Sequence, residues 1–289
     1  TLRAALPTLD AGVTLHDFAA GHGFGPVFFE HYLLPMASAV WSLPTAGVRE
    51  FPARFFGEFF DHHGLLTFRD RPQWRVIAGG SRTYLEPLMA PFASRVQLRT
   101  PVVAVTRDAA GVTLRTGNGD TAHFDALVLA CHSDQALRML TDPTDAERTV
   151  LGALPYERNE VVLHTDTAVL PQARRAWACW NYRTSGADHR AQVTYNMNLL
   201  QGLDAPETFC VTLNGGAGLD PRRVLSRHVY HHPVHTGPGM RARARLDDIS
   251  GQRHTWYAGA YWGDGFHESG VASGQRAAAA LDVTLAAAA

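Results

Sequence analysis

The sequence contains no lysine, since all 26 basic residues are arginines. No amine is therefore available to form a Schiff base or to place a water molecule beside a cofactor. The 26 basic residues are balanced by 27 acidic residues. Because neither sign is in excess, the composition argues against a nucleic-acid-binding protein and against an acidic disordered tail.

Long hydrophobic runs are also absent. No run reaches the roughly 18 apolar residues of a membrane span, so none is expected. No basic segment followed by an apolar one opens the chain, so we expect no signal peptide. The three cysteines, Cys131, Cys179 and Cys210, are odd in number and widely spaced, which favours reduced thiols and a cytoplasmic protein. The chain begins with Thr1 instead of Met, and we expect a processed or truncated product.

Helical signals dominate the first part of the chain. Thr14 is a suitable N-cap, and a second helix is predicted over residues 26–38. Residues 51–63 form an aromatic-rich helix, which either packs in a core or presents part of one face to an apolar ligand. Ser81 is predicted to cap a helix that reaches residue 92.

Strand patterns follow. Residues 95–98 predict a short strand, and residues 102–107 and 112–116 alternate as a hairpin does. The continuous apolar run at 126–130 is typical of a strand buried on both faces of a parallel sheet. Residues 143–154 are predicted to be helical.

The stretch from residue 160 to residue 213 has a mainly β pattern. We predict an antiparallel sheet from four segments, namely 161–164, 176–182, 192–197 and 209–213. Residues 228–239 contain two prolines, two glycines and four histidines, and they predict an irregular crossover. The histidine spacing matches no metal-ligand motif and no carboxylate or cysteine lies close by, so no metal site is predicted.

The predicted fold class is α/β, or α+β over the whole chain, with two interleaved domains. Helices and antiparallel strands make up residues 1–75 and 151–249. An α/β domain is predicted from residues 76–150 and 250–289. The sequence does not indicate an oligomeric state.

The closing segment carries the strongest chemical signal. A strand at 255–260 is followed by a glycine-rich turn and a helix from residue 268 to about residue 285, so that a helix N-terminus faces the strand end. Free N–H groups there favour negative charge. Gly263 and Gly265 allow backbone to approach a ligand without an intervening Cβ. The alternative is an ordinary end of an α/β domain.

This segment resembles the C-terminal motif of the flavin-containing amine oxidase superfamily. The matching stretches are AG at 258–259, GFHESG at 265–270 and GQRAA at 274–278. The whole chain resembles a bacterial branch described as predicted NAD/FAD-binding or amine-oxidase-like proteins. The resemblance implies a partial, Rossmann-like FAD-binding domain at 76–150 and 250–289, and a substrate domain at 1–75 and 151–249.

The resemblance also implies roles for individual residues of the closing segment. The backbone N–H of His267 would face the flavin N1/O2 edge, where negative charge grows on reduction. Gly265 would let the backbone approach the cofactor, and Phe266 would flank the substrate side of the ring. Gly259 and Ala260 would approach the ribityl-phosphate.

Two further cofactor contacts are implied upstream. Pro101 and the strand after it resemble the family's adenine-contacting strand, which makes Val102 the candidate. The run at 126–130 resembles the strand that leads to the cofactor, with Ala130 at its end.

Candidate substrate contacts come from aromatic residues. Trp180 and Tyr182 share one face of a predicted strand because they are two residues apart. Packing in a core is one interpretation of this face. The other is that Trp180 and Tyr182 line a substrate cavity beside the flavin, together with Trp262 and Phe266.

The sequence also departs from the superfamily pattern. The dinucleotide fingerprint G-x-G-x-x-G is absent, so we expect a C-terminal part of a longer enzyme with poor FAD affinity of its own. Because no lysine is present, the resemblance does not extend to amine oxidation as such. The prediction is an FAD-dependent oxidoreductase that removes a hydride from, or desaturates, a small or lipid-like apolar substrate, with no catalytic side chain assigned.

Two other functional classes were weighed. A non-catalytic binding or scaffold protein that keeps the fold without flavin is the alternative to the oxidoreductase. A hydrolase would need a nucleophile elbow of the form G-x-S-x-G, which the sequence lacks.

Overall fold

A computed structural model describes residues 1–43, 45–67, 69–184 and 191–288. The chain forms two compact units, each built from two separate stretches of sequence. Unit 1 comprises Thr1–Arg95 and Glu157–His232, and unit 2 comprises Val96–Tyr156 and Pro233–Ala289. No helix in the described part of the chain combines the length and the apolar character that crossing a bilayer requires.

The helices and strands are numbered in chain order. The α-helices are α1 (Leu2–Ala5), α2 (Leu15–Gly21), α3 (Pro26–Phe28), α4 (Leu34–Trp41), α5 (Thr45–Arg49), α6 (Ala53–His62), α7 (Leu85–Met89), α8 (Ser133–Met139), α9 (Asp145–Gly152), α10 (Met197–Gln201), α11 (Gly237–Arg243) and α12 (His267–Ala288). The strands are β1 (Val102–Arg107), β2 (Val112–Thr116), β3 (Thr121–Phe124), β4 (Leu127–Leu129), β5 (Tyr156–His164), β6 (Trp180–Thr184), β7 (Ala191–Asn196), β8 (Cys210–Leu213), β9 (Val224–Pro233) and β10 (Thr255–Tyr257).

The helical part of unit 1 has an aromatic core. The predicted cap is present, since Asp17 N–H donates to Thr14 Oγ1 at 3.1 Å at the start of α2. A π-helical turn at Phe29–Leu33 joins α3 to α4. The aromatic face of α6 is buried, and Trp41 of α4 packs against it. Core packing is therefore the interpretation that the structure supports for residues 51–63.

The sheet of unit 1 is five-stranded, with the order β6-β7-β8-β5-β9. The pairings of β6 with β7, β7 with β8 and β8 with β5 are antiparallel, as predicted. Helix α4 contacts β6 and β7. The face that β6 shares with β7 therefore lies beside a helix and carries Trp180 and Tyr182.

The predicted irregular crossover at 228–239 is wrong over its first half. Residues 224–233 form β9, the edge strand of the five-stranded sheet. Most side chains of β9 are exposed, so the alternation of apolar and polar residues that reveals a half-buried strand is missing. The extended conformation of β9 depends on pairing with a neighbouring strand, and the sequence pattern does not indicate that pairing.

Unit 2 contains two small sheets and a core of its own. Strands β1, β2 and β3 form an antiparallel meander, and the predicted hairpin has the predicted bounds. Strands β4 and β10 pair in parallel, as the apolar run at 126–130 indicates. Val105, Leu129, Val150, Leu151 and Tyr257 are among the fully or nearly fully buried side chains of this core.

Two local predictions differ from the structure. Residues 95–98 form no strand. Ser81 does not cap a long helix, because Gly80 occupies the cap position and the segment 81–95 consists of 3-10 turns around the short helix α7. Helix α8 and strand β3 were not predicted from the sequence.

The bounds of the compact units differ from those of the predicted domains. Residues 76–95 group with unit 1, and residues 233–249 group with unit 2. The second difference has a physical reason, because α11 packs on α9 and both Leu246 and Ile249 enter the core of unit 2. The functional roles of the two domains remain predictions.

Candidate functional site

The carboxyl ends of β4 and β10 meet at one edge of the parallel pair. Leu129 is aligned with Tyr257, and Ala258 N–H donates to the Leu129 carbonyl oxygen at 3.0 Å. The next residues along the two strands, Ala130 and Gly259, therefore lie at the same edge. In parallel sheets ligands bind outside the carboxyl ends of the strands, so the structure brings predicted contacts together where a ligand is expected.

A tight turn leads from β10 to α12. The Ala260 carbonyl oxygen accepts hydrogen bonds from the N–H groups of Gly263 at 3.0 Å and Gly265 at 3.1 Å. Gly265 has a φ of 90°, in the region that only glycine adopts at little cost. The turn is thus closed by its own backbone and reverses the chain at a glycine.

Two serines of α12 fasten this turn to the helix. Gly259 N–H donates to Ser273 Oγ at 2.9 Å, and Asp264 N–H donates to Ser269 Oγ at 2.9 Å. A Cβ on Gly263 would lie 2.5 Å from Ser269 Oγ, so this position requires glycine. The sequence motif contains both serines, but only the folded turn shows their hydrogen-bonding role.

Helix α12 begins at His267 and extends over 22 residues. Its first N–H groups have no acceptors within the helix and carry the positive end of the helix dipole. Phe266 is 40% exposed and His267 is exposed as well. The start of the helix is therefore accessible to a ligand that carries or acquires negative charge.

Polar groups that sequence reasoning did not identify follow Ala130. Ser133 N–H donates to the Tyr156 hydroxyl oxygen at 2.9 Å, and the His132 ring stacks on Tyr156 with 4.4 Å between ring centroids. Burial raises the pKa of Tyr156, so its hydroxyl is protonated at neutral pH. No spacing in the sequence indicates this cluster, because Tyr156 reaches Ser133 only through tertiary structure.

A buried ion-pair network holds β10 in place. Arg107 donates from Nη1 and Nη2 to the Glu147 carboxylate at 2.5 and 2.9 Å, and Tyr257 Oη donates to Glu147 Oε1 at 2.6 Å. Burial by itself would raise the pKa of Glu147, but the hydrogen bonds from Arg107 and Tyr257 outweigh it and lower the pKa to about 2. The network ties β1, α9 and β10 together beneath the turn.

Val102 and Trp262 are two further predicted contacts in unit 2, and their surroundings differ from those of the turn residues described above. Val102 is the first residue of β1, half-buried and next to an irregularity in the β1–β2 register. Trp262 is only 8% exposed and belongs to the core of unit 2, below the turn. The adenine contact of Val102 and the substrate contact of Trp262 stay predictions.

The remaining predicted contacts lie in unit 1. Trp180 and Tyr182 are half-buried on the same face of β6, and the Trp180 ring meets the Tyr195 ring edge-on at 5.7 Å. Both residues line a cavity of about 530 Å³ together with apolar residues of the preceding segment, such as Leu170 and Ala178. Burial raises the pKa of Tyr182. The cavity has the size of a small-molecule site, and its lining combines apolar residues with the polar residues Gln172, Asn181 and Arg183.

The edge of a parallel pair joined by a glycine turn to a helix N-terminus is an arrangement that nucleotide- and flavin-binding α/β proteins use. Residues 9–197, well over half of the 289-residue chain, match the family of flavin containing amine oxidoreductases. The chain therefore belongs to the flavin-containing amine oxidoreductase family, which implies an oxidoreductase with a flavin cofactor. The predicted resemblance is confirmed, although the matched residues do not include the closing segment from which it was inferred.

Several solved structures have a similar fold. A fatty acid isomerase from P. acnes that produces CLA has a TM-score of 0.63 and 15% sequence identity, over 98% of this chain and 72% of that chain. Cyclohexylamine oxidase from Brevibacterium oxydans IH-35A has a TM-score of 0.67 and 13% identity, over 98% and 73%. A putrescine oxidase variant has a TM-score of 0.67 and 11% identity, over 97% and 73%.

At these identities the likeness shows the fold alone, and it confirms the predicted mixed α/β class. A comparison with curated protein sequences finds no match.

Proposed function

We propose that this chain forms part of an FAD-dependent oxidoreductase that removes a hydride from, or desaturates, a small or lipid-like apolar substrate. The observation that carries the proposal is the N-terminus of α12 at the edge where β4 and β10 end, in a chain of a flavin oxidoreductase family. FAD supplies the redox chemistry when it is bound, and the protein supplies orientation and electrostatics.

The residues at this edge fit a flavin. Gly265 presents no side chain, and Phe266 and His267 beside it are exposed, so a planar ring can approach the backbone here. Gly259 and Ala260 lie just beyond β10, after Ala258, and would hold the ribityl-phosphate. We keep Val102 as the adenine contact and Ala130 as the contact at the end of β4.

The chain's own contribution at this edge is electrostatic. The first N–H groups of α12 are fixed in direction by the helix, and they stabilise negative charge without reorganising. Hydride transfer itself needs no acid or base from the protein, so the absence of lysine does not prevent it. Desaturation also releases a proton, which would pass to water. Without lysine, no side-chain amine can position a water molecule beside the flavin. For this reason we propose hydride removal or desaturation instead of amine oxidation.

The proposed substrate class rests on the cavity of unit 1. Its lining includes apolar residues such as Leu170 and Ala178, and Trp180 and Tyr182 contribute aromatic surface. One similar structure is described as a fatty acid isomerase and another as a cyclohexylamine oxidase, so the fold accommodates apolar compounds. Trp262 and Phe266 are kept as further proposed substrate contacts.

Titration of the purified chain with FAD tests the proposal. Saturable binding with a perturbed flavin spectrum is expected, followed by bleaching when candidate apolar substrates are added without oxygen. A dissociation constant near 1 mM corresponds to a binding free energy of about 4 kcal/mol in magnitude. Binding as weak as this would still support the proposal. A chain that shows no saturable binding at such concentrations would contradict the proposal and favour a scaffold protein that keeps the fold without flavin.

A further inference from the structure

A charged side chain from a neighbouring helix contacts the backbone of the turn. Arg243, the last residue of α11, donates through Nη2 to the Trp262 carbonyl oxygen at 3.2 Å. Its Nη1 donates to His235 Nδ1 at 3.3 Å and lies 3.0 Å from the Met240 sulfur. One planar guanidinium thus bridges acceptors from three residues, which the compact ammonium of a lysine cannot do.

The protonation state of His235 follows from this contact. Because arginine is always a donor, Nδ1 accepts, and we assign the ring proton to Nε2. His235 is only 5% exposed, and its burial, together with the positive charge of Arg243, lowers its pKa to about 3. The imidazole is therefore neutral at neutral pH and can accept from Arg243 throughout that range.

The other side of the imidazole faces the turn itself. A Cβ built on Gly265 would lie 3.7 Å from His235 Nε2, so the ring packs under the glycine that precedes Phe266. Arg243 thereby contacts the turn at the Trp262 carbonyl, and His235 lies beside the open side of Gly265. These points flank the last residues before α12 begins.

The positive charge of Arg243 lies within the influence of a negative charge in the turn. Burial lowers the pKa of Arg243, and the negative charge of Asp264 in the turn opposes this shift. Moving a charge away from water is costly unless it is hydrogen-bonded and compensated, and the turn provides the Trp262 carbonyl as an acceptor and Asp264 as a nearby negative charge. Helix α11 is itself seated closely on unit 2, since a Cβ on Gly239 would lie 3.2 Å from the Ala153 carbonyl oxygen.

We propose that Arg243 and His235 are positioning residues that hold residues 262–266 in place and thereby set the direction of the first N–H groups of α12. The turn's own hydrogen bonds converge on Ala260 and close it from within. Arg243 belongs to a different helix, α11, and donates a hydrogen bond to the turn at the Trp262 carbonyl oxygen. The consequence for a bound flavin rests on the proposed function, whereas the effect on the turn does not.

Hydrogen exchange of the chain without flavin tests the effect on the turn. Arg243→Met removes the donors, and Arg241→Met on the same helix is the matched control because Arg241 is exposed. We expect amides of residues 262–267 to exchange roughly 10- to 100-fold faster in Arg243→Met, as for the loss of a charged hydrogen bond. Amides of β2 serve as an internal reference and should stay protected in every variant.

Two further variants separate geometry from charge. Arg243→Lys keeps the charge but cannot bridge the same acceptors, so exchange in the turn should remain faster than in the wild type. His235→Phe removes the acceptor and should loosen the same residues, which keeps the test decisive if Arg243→Met does not fold. In flavin-loaded protein the midpoint potential should fall in Arg243→Met, stay low in Arg243→Lys because the turn is still loosened, and stay unchanged in Arg241→Met. Recovery of the potential in Arg243→Lys would overturn the link through positioning, because charge alone would then set the potential.

Unchanged exchange at 262–267 in Arg243→Met would overturn the proposal. Faster exchange throughout unit 2, including β2, would also overturn it, because the role would then be general packing. An unchanged midpoint potential beside a loosened turn would overturn the link to the flavin edge. A chain that fails to bind flavin would contradict the proposed function, while the exchange experiment would still decide whether Arg243 and His235 position the turn.

Discussion

Ser273 on α12 accepts a hydrogen bond from Gly259 N–H at 2.9 Å and donates one to the Gly270 carbonyl oxygen at 2.8 Å. The hydroxyl thus joins the end of β10 to the second turn of the helix. Since Ser273 is only 3% exposed, water cannot readily replace either partner. Ser273 is therefore one of the direct links between the end of the strand and the helix.

Ser273→Ala should therefore destabilise the protein by about 1–3 kcal/mol, because it leaves the Gly259 N–H without its acceptor. Urea unfolding measures the change. Thr284→Ala is the matched control, since Thr284 also carries a hydroxyl bonded within α12, to the Ala280 carbonyl oxygen, but is exposed. Equal losses of stability in the two variants would show that Ser273 has no special role.

Gly265→Ala should weaken flavin binding, by about tenfold if it costs ~1.4 kcal/mol of binding free energy. The reason is that a Cβ is strained at a φ of 90° and lies where the backbone is proposed to approach the cofactor. Gly119→Ala introduces the same strain at a φ of 94° in the turn between β2 and β3. Flavin titration of both variants should show weaker binding for Gly265→Ala alone, and equal affinities would contradict the assigned flavin edge.

Acid should destabilise unit 2 through Glu147. Its pKa lies near 2 in the folded protein against 4.5 for an unperturbed glutamate, so its stabilising contribution is complete above pH 4.5 and is lost as the pH falls toward 2. A pKa difference of this size corresponds to about 3 kcal/mol. Urea unfolding at a series of pH values should show this loss.

Glu147→Gln should lower stability at neutral pH, because Arg107 then keeps a buried charge without its carboxylate. The same variant should reduce the slope of stability against pH between 4.5 and 2. Glu86→Gln changes an exposed glutamate and serves as the control. A slope in Glu147→Gln that equals the wild-type slope would assign the acid sensitivity to other groups.

Trp180→Ala should weaken binding of apolar ligands to the cavity of unit 1 by about tenfold or more, since each 1.4 kcal/mol of lost contact is a factor of ten. Titration with a fluorescent fatty acid measures the affinity. Trp74→Ala is the control because Trp74 is 60% exposed and does not line the cavity. Unchanged affinity in Trp180→Ala would support the interpretation of Trp180 as a core residue.

Several elements followed from the sequence because their signals are local. The hairpin of β1 and β2, the cap at Thr14 and the run that becomes β4 depend on neighbouring residues alone. The glycine turn before α12 is local as well, since Gly265 needs its backbone freedom wherever the turn is placed. Family membership could also be inferred, although the residues that match the family lie outside this turn.

Only the tertiary structure decided the remaining features. Strand β9 forms because it pairs at the edge of a sheet, and its exposed side chains leave no periodic pattern. Trp262 lies below the turn in the core, and Arg243 reaches the Trp262 carbonyl from a separate helix. The sequence by itself indicated the class of protein, and it led to the proposal that the closing segment contacts a flavin. Residues far apart in the chain form the surroundings of that segment. No local spacing in the sequence indicates their contacts.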